Sequence, residues 1–375
     1  MRRRIITFIV IAQTILFLGH WLLYETWVHF WNLSAMPGRE PLLALRIAMI
    51  VLSISFVSTS ALAFRYSGGL IRAAYTIAAA WLGVLNYFVF AMCACWIVYG
   101  AVRLGGLHMA PNGMAIVAFV LFGMALAIAL YGIVNAAWTR VTRISVKLAN
   151  LPPSWRGRVA ALVSDTHLGH VRNVGFMRRI VRMVARLKPD VVFITGDLYD
   201  GTKCDTARLA KPLADLNAPL GTYFITGNHE EFSDHGKYLN GVKSAGVRVL
   251  NDEKIVLDDL QVIGVMYPDS AHPEHFRSVL RGIGVDRERA SVLLLHAPDR
   301  LAIAAEEGIS LQLSGHTHGG QFLPWTWVTS RIYGKYVHGL QRLGELTIFT
   351  TWGAGTWGPP LRVGTKPEIV LITFE

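Results

Sequence analysis

The chain has 375 residues, 53% of them hydrophobic, and 36 Lys and Arg against 25 Asp and Glu, a formal charge of +11. That is too long for one ordinary domain and too apolar for a protein that lies wholly in water, so part of it belongs in a membrane. Three cysteines, Cys93, Cys95 and Cys204, exclude a disulfide framework, since the first two lie inside an apolar run and the third stands alone.

The charge is unevenly spread. Before Arg140, eight arginines face only Glu25 and Glu40, a net +6, while the remaining 28 basic and 23 acidic residues give +5, ordinary for a water-soluble domain. Much of the excess sits at the edges of apolar spans, where orientation signals belong, which disfavours a nucleic-acid partner.

Four stretches, 5–24, 42–64, 73–99 and 113–138, are long and apolar enough to cross a hydrocarbon core of about 20 helical residues. Arg2, Arg3 and Arg4 give the first a basic start, but its apolar run is too long for a signal peptide and no small-residue cleavage site follows. Arg65, Arg72, Arg140, Arg143 and Lys147 fall on the same side as that start. The basic excess therefore predicts an inner-membrane protein with its soluble half in the cytoplasm. Gln13, His20, Asn86 and Asn135 are the notable polar groups in the spans, and bonds between helices or interfacial placement explain them better than a transport path. This divides the chain into an anchor (1–139), a juxtamembrane linker with a first strand (140–158) and a catalytic domain (159–375).

Beyond the anchor, residues 141–148 alternate as a strand does, and Pro152-Pro153 marks a turn. Five short apolar runs then end in a small residue or directly in a metal-preferring side chain: Ser164-Asp165-Thr166-His167, Gly196-Asp197, Gly227-Asn228-His229-Glu230, His296, and Gly315-His316-Thr317-His318. Runs of this kind read as buried strands, and ligands of open α/β sheets gather beyond the carboxyl ends of the strands. Helical spacing at 176–187, 206–216, 235–245 and 299–307 alternates with them, and closely spaced later strands at 253–257, 261–265, 346–350 and 368–374 predict a mixed two-sheet arrangement. Asp, His and Asn donors suit Mn, Fe or Zn, and without cysteine ligands a closed structural zinc site is disfavoured. Two ions about 3.5–4 Å apart need a bridging carboxylate, and Asp197 is central in the series.

The five motifs, in this order and spacing, resemble the calcineurin-like metallophosphoesterases over about 159–374, and the run Gly315-His316-Thr317-His318-Gly319-Gly320-Gln321 with Gly355-Thr356-x-Gly358-Pro359-Pro360-Leu361-Arg362 resembles a branch that often carries membrane spans. The resemblance implies a four-layer sandwich of two mixed β-sheets flanked by helices. It implies Asp165, His167 and His318 on one divalent ion, Asn228, His296 and His316 on the other, and Asp197 between them. His229 would be the catalytic, non-ligand histidine that assists the leaving oxygen while a hydroxide between the metals attacks phosphorus. Trp357 stands where the branch would carry a small residue, which predicts a different local surface near the site.

Around these motifs, His170, His272, His275 and His338 have no such context and read as surface residues, Asp200 and Glu230 read either as partners orienting the ligands or as solvated carboxylates, and Thr317 reads as structural. Residues 322–328, Phe-Leu-Pro-Trp-Thr-Trp-Val, form an apolar loop that could meet acyl chains or fold into the core. Arg178, Arg182 and Arg186 would share one basic helix face. A phosphodiester or pyrophosphate substrate is expected, with a lipid or nucleotide-linked lipid first because the chain is tethered to a membrane. The alternative is a non-catalytic metal-binding interaction or sensory module.

Overall fold

The computed structural model describes residues 2–35, 38–106, 109–110, 112–232 and 235–375, with the side chains of Arg2, Arg3, Arg4, Ile5 and Ala35 outside the described set. The chain divides into two compact units, one of the residues up to Val134 with Gly358–Leu361, the other of Asn135–Trp357 with Arg362–Glu375.

The first unit is built on α1 (Arg2–Phe30), α2 (Glu40–Arg65), α3 (Gly69–Leu104) and α4 (Gly113–Ala137). Among the described residues these four are long and apolar enough to cross a membrane, with spans of 25, 26, 36 and 25 residues. At 1.5 Å per residue, 25 residues reach about 38 Å, more than the roughly 30 Å of a hydrocarbon core. Polar groups in the spans bond between helices: Gln13 Nε2 donates to Ser53 O at 3.0 Å, and Trp81 Nε1 donates to His20 Nε2 at 2.8 Å. Asn135 behaves otherwise. It belongs to the second unit, where its Nδ2 donates to the carbonyls of Arg362 and Thr365, both at 2.9 Å.

The second unit runs β1 (Arg140–Val146), β2 (Val159–Val163), α5 (Val174–Leu187), β3 (Val191–Thr195), α6 (Thr206–Ala210), β4 (Thr222–Ile225), α7 (His235–Ser244), β5 (Arg248–Val249), β6 (Glu253–Leu257), β7 (Leu260–Gly264), α8 (Tyr267–Ser270), α9 (Pro273–Ile283), β8 (Ser291–Leu294), α10 (Leu301–Glu306), β9 (Leu311–Ser314), α11 (Trp325–Tyr333), β10 (Gly339–Leu343), β11 (Leu346–Thr350) and β12 (Glu368–Phe374). One six-stranded sheet has the order β1-β12-β2-β3-β4-β5 and the other β10-β11-β9-β8-β7-β6. Both are mixed: β2, β3, β4 and β5 pair in parallel while β12 runs antiparallel to β2, and β7, β8, β9 and β11 are parallel with β6 and β10 antiparallel at the edges.

Side-chain alternation sorts these strands into layers. Leu162, Phe193 and Ile225 of the first sheet meet Val262, Leu294 and Leu313 of the second in one central core. Their neighbours Val163, Ile194 and Phe224 turn the other way and are covered by Ile180 and Val184 of α5 and Val242 of α7, while Ile263, Leu293 and Ile348 of the second sheet are covered by Phe276 and Leu280 of α9. The result is helix, sheet, sheet, helix. Three helices were not anticipated from spacing, the single turn α8 and the longer α9 and α11. α9 starts with Pro273 in its first turn and stops at Gly284 in the left-handed conformation, signals that are local and strong. α11 occupies most of the segment read as an aromatic loop.

Candidate metal-binding active site

Each expected donor stands just past a strand. β2, β3 and β4, adjacent in the first sheet, deliver Asp165, Asp197 and Asn228, and β8 and β9, adjacent in the second, deliver His296 and His316. Asp165, His167, Asp197, His316 and His318 all have positive φ, between 47° and 69°. A residue with a Cβ in that region costs about 1–2 kcal/mol, so the turns hold strain that the surrounding packing must offset. Gly227 and Gly315 are required by proximity, because a Cβ on the first would strike the Asp197 carboxylate and one on the second would strike Ser164 and Asp165.

The donors form two arrays. In one, His167 Nε2 and His318 Nε2 are 2.8 Å apart, His318 Nε2 lies 3.5 Å from Asp165 Oδ1, and His167 Nε2 lies 3.7 Å from Asp197 Oδ2. In the other, His296 Nε2 is 3.2 Å from Asp197 Oδ2 and 3.1 Å from Asn228 Oδ1, and His316 Nδ1 is 2.9 Å from Asn228 Oδ1 and 3.2 Å from His296 Nε2. Ligand–ligand edges around an ion with bonds of about 2.0–2.2 Å span roughly 2.8–3.6 Å, so these spacings suit a divalent cation in each array. Asp165, His167 and His318 form one group able to hold an ion, Asp197, His296 and His316 another, and His167, Asp197 and His229 a third that shares a residue with each. Asp197 Oδ2 is common to both arrays. The chemistry of the set, carboxylate, imidazole and amide without thiolate, fits the metals expected from the sequence.

His229 Nε2 lies 4.0 Å from Asp197 Oδ2, and its Nδ1 lies 2.9 Å from Asp200 O. That carbonyl can only accept, which places the proton of neutral His229 on Nδ1 and turns Nε2 toward the site. His296 Nδ1 is fixed likewise by Thr195 O at 2.7 Å.

Burial shapes the protonation. It drives His167 and His318 well below the usual histidine range and His316 down to about 4, keeping these rings as neutral imidazoles, the form that binds a cation. Burial acts on His296 in the same direction, but the Asp197 carboxylate overrides it and lifts His296 to about 10. Asp197 is held well below the carboxylate range by His296, His229 and His167 against its own burial, whereas burial raises Asp165 to about 6.

A ring of further groups holds the donors in place. Glu230, fully buried, accepts from the backbone N–H groups of Asp197, Gly227 and Tyr199 at 3.0, 2.7 and 3.1 Å, tying two ligand loops together; burial and the nearby Asp197 push it up to about 8. The Asp200 carboxylate accepts from Thr202 N and His170 N at 2.8 and 3.2 Å. Neither is a solvated carboxylate: Glu230 ties the ligand loops, whereas the Asp200 carboxylate bonds Thr202 and His170 and only its backbone carbonyl reaches His229. Thr317 is structural, its hydroxyl donating to Val337 O at 2.8 Å.

Two of the four context-free histidines correct the sequence reading. His170 is 4% exposed with Nδ1 2.9 Å from Thr202 Oγ1, and His338 stacks on Trp352 at 3.7 Å and reaches Glu368 Oε1 at 3.1 Å. Their partners come from segments remote in sequence, so no local pattern marks them. His272 and His275 are exposed as expected.

Sequence reasoning gave Arg362 no role, and the structure gives it one. Fully buried, it donates to His318 O and His318 Nδ1 at 2.9 Å and to Trp352 O and Gly355 O at 2.7 Å, bracing the His318 loop from behind; burial lowers its guanidinium to about 9. Gln321 clamps Trp357 through two bonds of 2.8 Å, and Trp357 and Phe232 lie 5.7 and 4.5 Å from the His229 ring, centroid to centroid. Tyr267 and Tyr333 lie 6.4 and 6.1 Å from His316. The only local hint was the Gly-Pro-Pro-Leu-Arg run.

The family model for calcineurin-like phosphoesterases matches residues 159–320. The chain is 33% identical over 268 residues to a transmembrane protein with metallophosphoesterase domain from Danio rerio, covering 66% of this chain and 60% of that protein, and 33% identical over 267 residues to its namesake from Bos taurus, covering 65% and 59%. It thus spans about three-fifths of the length of these two relatives. An uncharacterized metallophosphoesterase from Aquifex aeolicus is 30% identical over 259 residues, which is 67% of this chain and 98% of that one. Coverage of nearly the whole of that relative, together with a two-sheet sandwich whose strand ends gather His and Asp donors, makes this chain a membrane protein of the calcineurin-like metallophosphoesterase family.

Proposed function

We propose that the chain is a membrane-anchored hydrolase that cleaves a phosphodiester or pyrophosphate bond with two divalent ions, one held by Asp165, His167 and His318, the other by Asn228, His296 and His316, with Asp197 between them. The observation that carries this reading is the shared position of Asp197 Oδ2, 3.7 Å from a nitrogen of one array and 3.2 Å from a nitrogen of the other. When bound, the ions neutralise charge on the phosphate oxygens and make water a stronger nucleophile.

The chain's own residues supply the rest. His167, His316 and His318 are neutral imidazoles, so none of them must first give up an imidazolium charge, and the Thr195 carbonyl keeps His296 Nε2 aimed inward. His229, held at Nδ1 by the Asp200 carbonyl, presents Nε2 to the leaving oxygen and in its imidazolium form hands over the Nε2 proton, returning to the neutral ring that keeps its Nδ1 proton. Glu230 and Arg362 hold the ligand loops at fixed separation, so positioning is settled before substrate arrives. A lipid or nucleotide-linked lipid is the favoured substrate class because the chain is tethered to the bilayer. The catalytic unit works on the cytoplasmic side of the inner membrane, the orientation that the basic residues of the connections favour.

The test is hydrolysis of bis(p-nitrophenyl) phosphate by the full-length protein with added Mn, before and after EDTA. Metal-dependent turnover supports the enzyme. Bound metal without turnover on this or lipid phosphoesters supports a binding or sensory module instead.

A further inference from the structure

The surface beside the site differs from the rest of the catalytic unit. No residue of α11 is buried, and Trp325, Trp327 and Ile332 on it are exposed by 52, 59 and 69%. Phe232 and Trp357, exposed by 53 and 55%, stand at the His229 ring. The helix is attached to the same mouth, since its last residue, Tyr333, approaches His316 and its first follows the ligand His318 by only seven positions. Exposed apolar clusters of this kind mark a surface that meets a partner.

Charge indicates which partner. From Gly308 to Gly344 the chain has no Asp or Glu, while Arg331, Lys335 and Arg342 are exposed. Arg331 lies over the Trp327 ring at 4.8 Å. Indoles flanked by basic side chains on a short helix are the composition that settles at the headgroup level of an anionic bilayer. Proximity favours the same partner, because the chain carries four membrane-spanning helices and only Trp138 and Thr139 separate the last of them from β1.

We propose that α11, with Phe232 and Trp357 at the mouth, docks onto the anionic surface of the bilayer that the chain spans, so that the site takes its phosphoester directly from lipid. The docking stands on exposure, charge and the chain's own membrane spans. The substrate half rests on the phosphoesterase reading above.

The full-length protein is reconstituted in vesicles of phosphatidylethanolamine and phosphatidylglycerol, with and without brominated acyl chains. The difference in emission between the wild type and a Trp325→Phe/Trp327→Phe variant isolates the two indoles, and brominated lipid quenches that difference if α11 is docked. Equal difference spectra in both vesicles overturn the proposal. A Trp325→Ser/Trp327→Ser/Ile332→Glu variant is then expected to lose about tenfold or more in kcat/KM on a chromogenic phospholipid held in the vesicle, yet to stay within about twofold of wild type on bis(p-nitrophenyl) phosphate in water. Equal losses on both substrates refute selective access from lipid. A wild type inactive on both would sink the phosphoesterase reading and leave docking to be decided by quenching. Unquenched indoles, together with a variant that turns a detergent-solubilised dimer into a monomer, would assign the face to a second copy of the chain.

Discussion

The two donor arrays use the same kinds of residue but are backed differently. Behind His296 stands a carbonyl, Thr195 O, and in front of it Asp197, so this imidazole is pushed toward its charged form. Behind His318 stands a buried guanidinium, Arg362, and burial with that neighbouring cation keeps the ring neutral. One array therefore holds a proton that a metal must displace. The other offers neutral imidazoles, and the difference is set by the Asp197 carboxylate in front of His296 against the guanidinium behind His318.

The most severe way to disturb both arrays is to remove what they share. Asp197→Ala should reduce hydrolysis by on the order of 10³-fold or more and drop bound metal, measured by elemental analysis, for both arrays together. His316→Ala and His318→Ala should each cost one ion and leave the other. Full activity in a purified, metal-loaded Asp197→Ala protein would refute the shared carboxylate.

Next in size is Arg362. Removing its guanidinium leaves the carbonyls of Trp352 and Gly355 buried without a donor, while His318 O keeps Gln321 N at 3.1 Å, a cost of at least about 2 kcal/mol. Arg362→Met should lower the thermal midpoint of the detergent-solubilised protein by on the order of 4–8 °C. Arg362→Lys should recover little, because one ammonium cannot reach several carbonyls with the fork geometry of a guanidinium. A lysine variant as stable as wild type would show that charge alone, and not the fork, braces the loop.

Proton release separates the arrays without mutation. His296, raised to about 10, must lose its proton to bind, and Asp165, raised to about 6, must also do so in acid, while His316, lowered to about 4, need not. Metal affinity should therefore rise with pH from about 6 to about 10 with a slope of about one proton, and more steeply below about 6. Calorimetric titration in buffers of different ionisation enthalpy measures that proton count. A pH-independent affinity between 7 and 9 would remove the asymmetry.

Much of this was legible before any coordinates. Donors that follow apolar β-rich runs are visible in sequence because strand end, tight turn and ligand are adjacent in the chain, but β2, β3, β4, β8 and β9 are buried on both faces, so their continuous apolar runs mark strands without marking which residues face the central core. What depends on distant pairing was not legible. Arg362 acquires its role only when 318, 352 and 355 fold around it, His170 is buried and His338 half-buried by partners with no local signature, and β1 pairs with β12, 228 positions away between Arg140 and Glu368. α11 escaped because its Thr, Val and aromatic residues are weak helix formers and it has no side-chain cap.

Glu368 offers the smallest effect and a useful contrast with Asp197, since it is a carboxylate buried to 1% exposure whose partners are hydroxyls, an amide and a single histidine, with no array of donors around it. Its Oε1 accepts from Trp352 N and Thr351 Oγ1 at 3.0 Å and faces His338 Nε2 at 3.1 Å, and its Oε2 accepts from Thr142 Oγ1 at 2.6 Å. Burial alone would raise its pKa, but these bonds outweigh it, led by His338, and hold the carboxyl below the usual range. A folded pKa below the unfolded one means that its stabilisation is present above about 4.3 and fades as pH falls through the folded value. Glu368→Gln puts an amide donor among donors and should cost about 1–3 kcal/mol at neutral pH, roughly 2–12 °C in thermal midpoint. The gap between wild type and variant should narrow in acid. A gap that stays constant down to the lowest pH at which the protein remains folded would mean that Glu368 is held by shape and not by its charge.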